Sequence, residues 1–286
     1  MNIPVLQDSV LRAMTDDGAF RVITVRMTDT CDRALAKQKT WGRNGRFLGE
    51  LLTGTVLVRE TMAPTHRVQA FFRTKDRRGQ LIADAHPDGG NRALIARSDG
   101  VGDIVFENGT LEMMRTLYTG ELHRGVVTIP KSGGLSSALM AYMAESEQVA
   151  SMIAVACVVD GERVRAAGGY IVQLLPEVGR GPLAVMTERL REFEQIDDLI
   201  DKLDADPVPL LDELLYGMPF TRLEQSPLRF ECRCNAVRVM SALASIGRSE
   251  LIDLVKEARP IELGCDYCGQ QYVVSPLELQ GLLQQS

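Results

Sequence analysis

Cys232-Arg233-Cys234 and Cys265-Asp266-Tyr267-Cys268 hold four of the six cysteines in this 286-residue chain, and 30 residues separate them. Two close thiol pairs around a helix-sized insert are how a chain brings four sulfurs to one tetrahedral Zn²⁺. The three histidines, His66, His86 and His123, lie far upstream. The expected site is therefore all-thiolate, with no position left open for water. A closed site of that kind is structural or redox-responsive rather than hydrolytic. Cys157 sits in the apolar run Ile153 to Val159, and it and Cys31 read as small buried structural residues.

Working outward, the segment that carries these pairs reads as a domain of its own, residues 229–286. Ala236 to Ile246 and Glu250 to Ala258 have helical patterns broken at Gly247. Ile261 to Cys265 and Gln271 to Val274 flank the Cys-Asp-Tyr-Cys-Gly turn as a small hairpin. Ser275-Pro276-Leu277-Glu278 opens a last helix, with serine as N-cap, proline at the first helical position and glutamate reaching back. A segment under 60 residues long and rich in Arg, Glu and Gln has a poor core and needs a staple. A four-thiolate zinc site supplies roughly 10–16 kcal/mol of apparent binding free energy, which becomes folding free energy.

Before it, residues 179–228 read as a helical linker. Leu183, Met186, Leu190, Phe193, Ile196, Ile200 and Leu203 fall at steps of three and four, one apolar stripe down a single expected helix. Asp204-Ala205-Asp206-Pro207 ends it, and Leu210 to Met218 offers a second short helix. The stripe reads first as a permanent packing surface and second as a surface covered in one state and exposed in another.

Residues 1–178 read as an α+β domain with helices on a largely antiparallel sheet. Phe20 to Met27, Val68 to Arg73, Gly120 to Pro130 and Ile153 to Val159 read as strands, and Ser136 to Ser146 as a helix. Thr40 to Glu60 has helical spacing at Phe47, Leu51, Leu52 and Val56, weakened by Gly45, Gly49 and Gly54. Lys131-Ser132-Gly133-Gly134 lacks the spacing of a Walker loop and reads as a turn.

Composition sets the remaining bounds. A hydrophobic content of 45% supports a real core, and no apolar run is long enough to span a membrane. Charges in the first residues fall where a secretion signal needs its apolar stretch, so a soluble protein in the reducing cytoplasm is expected. The net charge of −6 argues against bulk nucleic-acid binding.

The thiol pairs, the Cys-Asp-Tyr-Cys-Gly knuckle, Ala166-Ala167-Gly168-Gly169-Tyr170 followed by Gln173 and Leu175-Pro176, and Ser146-Glu147-Gln148 together resemble the heat shock protein 33 family of redox-regulated chaperonins. The likeness is strong from about Ser146 to Leu283 and looser before. Arg43-Asn44-Gly45-Arg46 and the stretch from His86 to Asn91 depart from the family pattern, and Asn235 stands where serine is expected. The resemblance implies an ATP-independent holdase of the stress response, not an enzyme. Its reduced, zinc-bound form is inactive. Oxidation forms the disulfides Cys232–Cys234 and Cys265–Cys268, releases zinc and unfolds the small domain and linker. The active form holds unfolded client proteins and tends to form a homodimer. On this chain the linker stripe from Leu183 to Leu203 is the implied client surface.

Two other classes compete. A zinc ribbon that binds nucleic acid fits the two knuckles, but six basic residues from Arg229 onward face seven acidic ones, before the thiolates add their charge. A thiol oxidoreductase using Cys265 and Cys268 needs a thiol with a lowered pKa. Asp197-Asp198 reads as solvated helix surface, and no Ser/His/Asp set suggests itself.

Overall fold

The computed structural model describes residues 6–98, 102–129, 134–175, 180–191, 193 and 196–285. The chain divides into two compact units, Met1–Glu231 and Cys232–Ser286.

In chain order, the first unit contains β1 (Ser9–Thr15), β2 (Phe20–Arg26), α1 (Thr28–Gln38), α2 (Gly42–Thr61), β3 (Arg67–Arg73), β4 (Gly79–Ala85), β5 (Gly90–Arg97), β6 (Thr110–Thr116) and β7 (Leu122–Thr128). It continues with α3 (Gly134–Glu145), β8 (Ser151–Asp160), β9 (Arg163–Leu174), α4 (Arg180–Arg191), α5 (Ile196–Lys202), α6 (Pro207–Leu214), β10 (Phe220–Pro227) and β11 (Arg229–Phe230). One sheet has the order β10-β1-β2-β9-β8 and is antiparallel throughout; the other runs β11-β5-β4-β3-β6-β7, with only the β11–β5 pair parallel. The expected α+β class holds. The Walker-like residues 131–133 lie outside the described residues.

Helix α2 packs against β8 and β9 of one sheet and β3, β4 and β5 of the other. A helix with a sheet on either side is buried all round, and α2 is buried from Leu48 through Glu60. Its glycines, which weaken it as a helix in isolation, are the places where neighbours come closest. A Cβ at Gly49 would collide with Cys157 Sγ, and one at Gly54 with Leu139. Cys31 and Cys157 are fully buried beside that contact, and burial next to each other holds the Cys157 thiol well above its ordinary pKa. Both are core residues, as read.

The first sheet is buried on both faces. Val10, Ile23, Val25, Val155 and Ile171 point into the core shared with α2. Leu11, Phe20, Val22, Ala156, Ala166, Tyr170 and Val172 point the other way, into a second apolar cluster completed by α4, α5 and α6. Alternation along a strand sends neighbours to opposite faces, so β9 serves both clusters at once.

The second unit is smaller: α7 (Ala236–Ala244), α8 (Arg248–Lys256), the hairpin β12 (Ile261–Gly264) and β13 (Gln271–Val274), and α9 (Pro276–Gln285). Its apolar core comes down to Leu243, Leu251, Val274 and Leu279 among fully packed side chains. Gly247 caps α8, as the break in the pattern suggested.

Candidate metal centre and covered sheet face

The second unit builds one cluster from its two ends. Cys232 and Cys234 lie in extended chain just before α7, whose N-cap is Asn235; the Asn235 carbonyl Oδ1 accepts from Arg238 N at 2.9 Å. Asparagine caps as well as serine does, so the departure at this position leaves the local geometry intact. Cys265 and Cys268 sit on the tip of the β12–β13 hairpin. Gly269 N donates to the Cys265 carbonyl at 2.7 Å and Cys265 N to the Gln270 carbonyl at 2.9 Å. Gly269 takes φ +73°, the left-handed conformation that closes this knuckle at least cost to glycine. Behind it, Ser275 N donates to Glu278 Oε2 at 2.8 Å and Glu278 N to Ser275 Oγ at 3.3 Å. That reciprocal pair is the expected capping box.

The four sulfurs lie within 4.8 Å of one another, the one such His/Cys/Asp/Glu group of three or more among the described residues. Cys232 Sγ and Cys265 Sγ are 3.6 Å apart, and Cys234 Sγ and Cys268 Sγ 3.4 Å. A tetrahedron with metal–sulfur bonds of about 2.3 Å has edges of about 3.8 Å, so the donor set fits one metal ion. The cluster is only partly buried. Burial opposes ionisation of Cys234, but hydrogen bonds from Tyr272 and the other three thiols outweigh it and bring this thiol down to about 7. Burial and the neighbouring sulfurs push Cys268 up to about 12, and burial raises Cys265. Cys234 is thus ready to ionise near neutral pH, while Cys265 and Cys268 are held in the thiol form without a cation. The four thiols are positioned to hold one metal ion.

The linker stripe forms the other feature. Met186, Leu190, Ile196 and Ile200 are buried on the outer face of the first sheet, with Phe193 and Leu203 partly buried beside them. Leu183 is on α4, but its side chain lies outside the described residues. The single helix expected here is two, α4 and α5, separated between Arg191 and Ile196. The stripe survives the interruption because both pieces lie on one sheet. Asp204 and Ala205 both take left-handed backbone angles after α5, and Asp206 caps α6 by accepting from Val208 N at 2.9 Å.

Four contributors to this face have no role assigned in the reading of the sequence. Gly168 on β9 forms its floor: a Cβ there would come within 2.6 Å of the Val25 carbonyl oxygen and 3.0 Å of Ala205. Three exposed arginines hold its rim. Arg46 donates to Asp197 at 2.8 Å, Arg165 grips Asp201 through two bonds of 2.6 and 2.8 Å, and Arg222 pairs with Asp212. Asp197 is therefore a partner of the core and not merely solvated surface. These pairs join residues more than 100 positions apart for Arg46, and no local motif announces them.

The two units, one an α+β body with a helix-covered apolar sheet face and the other a four-thiol centre with a small core, define a two-part protein with a candidate metal site. The family model described as Hsp33 protein matches residues 8–275, and the chain belongs to the Hsp33 family. It is 29% identical to the 33 kDa chaperonin of Bacillus subtilis over 98% of this chain and 99% of that one, and equally similar to the 33 kDa chaperonin of Shouchella clausii over 98% and 99%. The crystal structure of the 33 kDa chaperonin (heat shock protein 33 homolog) of Thermotoga maritima superposes with a TM-score of 0.84 at 22% identity, covering 98% of this chain and 99% of that one. That likeness establishes the shared fold. No helix among the described residues is long and apolar enough to cross a membrane.

Proposed function

We propose that this chain is a redox-regulated, ATP-independent chaperone, a holdase that captures unfolding proteins in the cytoplasm under oxidative stress. The observation that carries the reading is a tetrathiol cluster and a covered apolar sheet face in one chain of a chaperonin family. In the reduced state Cys232, Cys234, Cys265 and Cys268 would hold one Zn²⁺, whose binding supplies the folding free energy that the small core around Leu251 lacks.

A peroxide oxidises the thiols in pairs. Each pair of thiols gives up two electrons and two protons as its S–S bond forms, while the O–O bond of the peroxide breaks and its two oxygens leave as water, or as water and an alcohol from an organic peroxide. The family resemblance pairs Cys232 with Cys234 and Cys265 with Cys268. Neighbour bridges close only tiny loops, whereas the four-thiolate centre closes the whole span from Cys232 to Cys268. That longer constraint is worth on the order of 3–4 kcal/mol in the chain-entropy model. The second unit then loses both its staple and its loop closure, and melts.

The chain enters that unit from β11, two residues long, and from β10, an edge strand whose side chains are mostly exposed. The two-residue β11 offers little resistance to the spread of unfolding, and α6, α5 and α4 come away while β10 stays paired with β1. Their departure uncovers the stripe of Met186, Leu190, Phe193, Ile196, Ile200 and Leu203, together with the sheet face it covered. Clients bind by apolar area, at roughly 25 cal/mol per Å², and two uncovered copies form the active homodimer by the same attraction. No chemistry is done on the client.

The test is light scattering from a chemically unfolded protein diluted into buffer. Suppression by the peroxide-treated form, but not by the zinc-loaded reduced form, is the expected result. Equal suppression by both forms would leave zinc as a staple alone, and none from either would remove the chaperone reading.

A further inference from the structure

The segment from Arg180 to Leu214 contains ten acidic residues against four basic ones, a net −6 that equals the charge of the whole chain. The rest of the protein is balanced, and the linker carries the imbalance. Its carboxylates are not scattered over solvent. Asp197, Asp201, Asp204 and Asp212 each meet an arginine of the first unit's body: Arg46, Arg165, Arg26 and Arg222. Between these pairs lie the buried Ile196, Ile200, Leu210, Leu211 and Leu214. The linker is thus bound as a ligand would be, by an apolar ridge with acids on its flanks.

The four arginines fare differently once the helices leave. Arg26 keeps Asp8 at 2.9 Å and Arg46 keeps Glu50 at 2.7 Å. Arg165 and Arg222 make their carboxylate contacts to Asp201 and Asp212, both of which depart. The uncovered face is apolar, formed by Phe20, Val22, Ala156, Tyr170 and Val172, and edged by guanidinium groups that have lost their acids.

We propose that the linker is a built-in imitation of the client. On this view the sheet face selects segments that combine apolar residues at helical spacing with flanking Asp and Glu, and it discriminates against equally apolar segments flanked by Lys and Arg. Arg165 and Arg222 are the specificity-determining residues. The inference rests on the holdase reading and adds to it a class of preferred client.

The probes are a free peptide with the sequence of residues 196–214 and a second peptide with each Asp and Glu replaced by Lys. Both are titrated against the oxidised full-length protein by fluorescence anisotropy. Two exposed ion pairs correspond to about a tenfold tighter Kd for the acidic peptide, a margin that shrinks as salt rises. Arg165→Gln with Arg222→Gln should bring the two peptides to equal affinity, and both positions are exposed enough for the variant to fold. Equal binding of the two peptides to the unaltered protein would overturn the proposal. So would binding of neither peptide while the oxidised protein still suppresses aggregation, because clients would then be held elsewhere. Failure of both peptide binding and suppression would instead bring down the holdase reading, and this proposal with it.

Discussion

Cys265 does two things at once: its sulfur joins the cluster, and its carbonyl and N–H close the knuckle. Cys265→Ser keeps the turn and removes one thiolate. Zinc affinity should fall sharply, and the second unit should be unfolded even under reducing conditions, as judged by a chromophoric zinc assay and by amide exchange of α7–α9. A zinc-loaded, native variant would contradict the four-thiolate site. A second residue sets a pH dependence. Glu50 on α2 is pushed up to about 7 by burial, against the pull of Arg46; Asp197 and the Cys157 thiol are its other charged or titratable neighbours. A carboxyl with a folded-state pKa above its unfolded value of 4.5 adds stability at low pH that is lost as pH rises through about 7. The first unit should therefore lose up to about 3 kcal/mol from this group between about pH 4.5 and 7.5. Glu50→Gln should remove that part of the slope in thermal melts taken across the range; a slope identical in the two proteins would show that Glu50 stays ionised throughout.

At the scale of elements, β9 was not legible in the sequence, and the reason is physical. Ala166-Ala167-Gly168-Gly169 lacks the branched and aromatic residues of an ordinary strand. Small residues are needed there because β2, β8 and the end of α5 all approach the same backbone. Helix α2 was legible by its apolar spacing, yet its glycines argued against it until the second sheet supplied the neighbours they accommodate. The thiol pairs, the knuckle and the capping box were fully legible because each is a local pattern. The arginine rim was not, because pairing across the fold leaves no spacing to read. Gly168→Val should press on the Val25 carbonyl of β2 as well as lift α5 from its seat, making the linker susceptible to proteolysis before oxidation and lowering amide protection along the β2–β9 pairing. Leu190→Ser with Ile200→Ser acts from the other side of the same contact. Each polar replacement in a buried apolar site costs about 2–5 kcal/mol. The reduced variant should already suppress aggregation, and the oxidised one should hold clients more weakly than the unaltered protein. Unchanged holding after oxidation would return the stripe to a purely structural role.

For the molecule as a whole, stability is divided unequally. The body has two extensive apolar clusters, while the thiol unit has four well-buried apolar side chains. Calorimetry of the reduced, zinc-loaded protein should show that a chelator abolishes the transition of residues 232–286 and leaves that of the body in place. A single transition that shifts as one on chelation would mean that the two units unfold together.

The double burial of β9 has one more consequence. If the helices leave as proposed, the inward side chains of β9 stay packed on α2, and the sheet is a party wall between two rooms. One room can be emptied and let to a stranger while the other keeps the wall standing. The lodger can also be turned out again, since the original tenant remains tethered at the door, at both ends of residues 180–214. On the proposed function, recovery from stress would need no refolding of the body, only reduction of four sulfurs and the return of α4, α5 and α6 to their places.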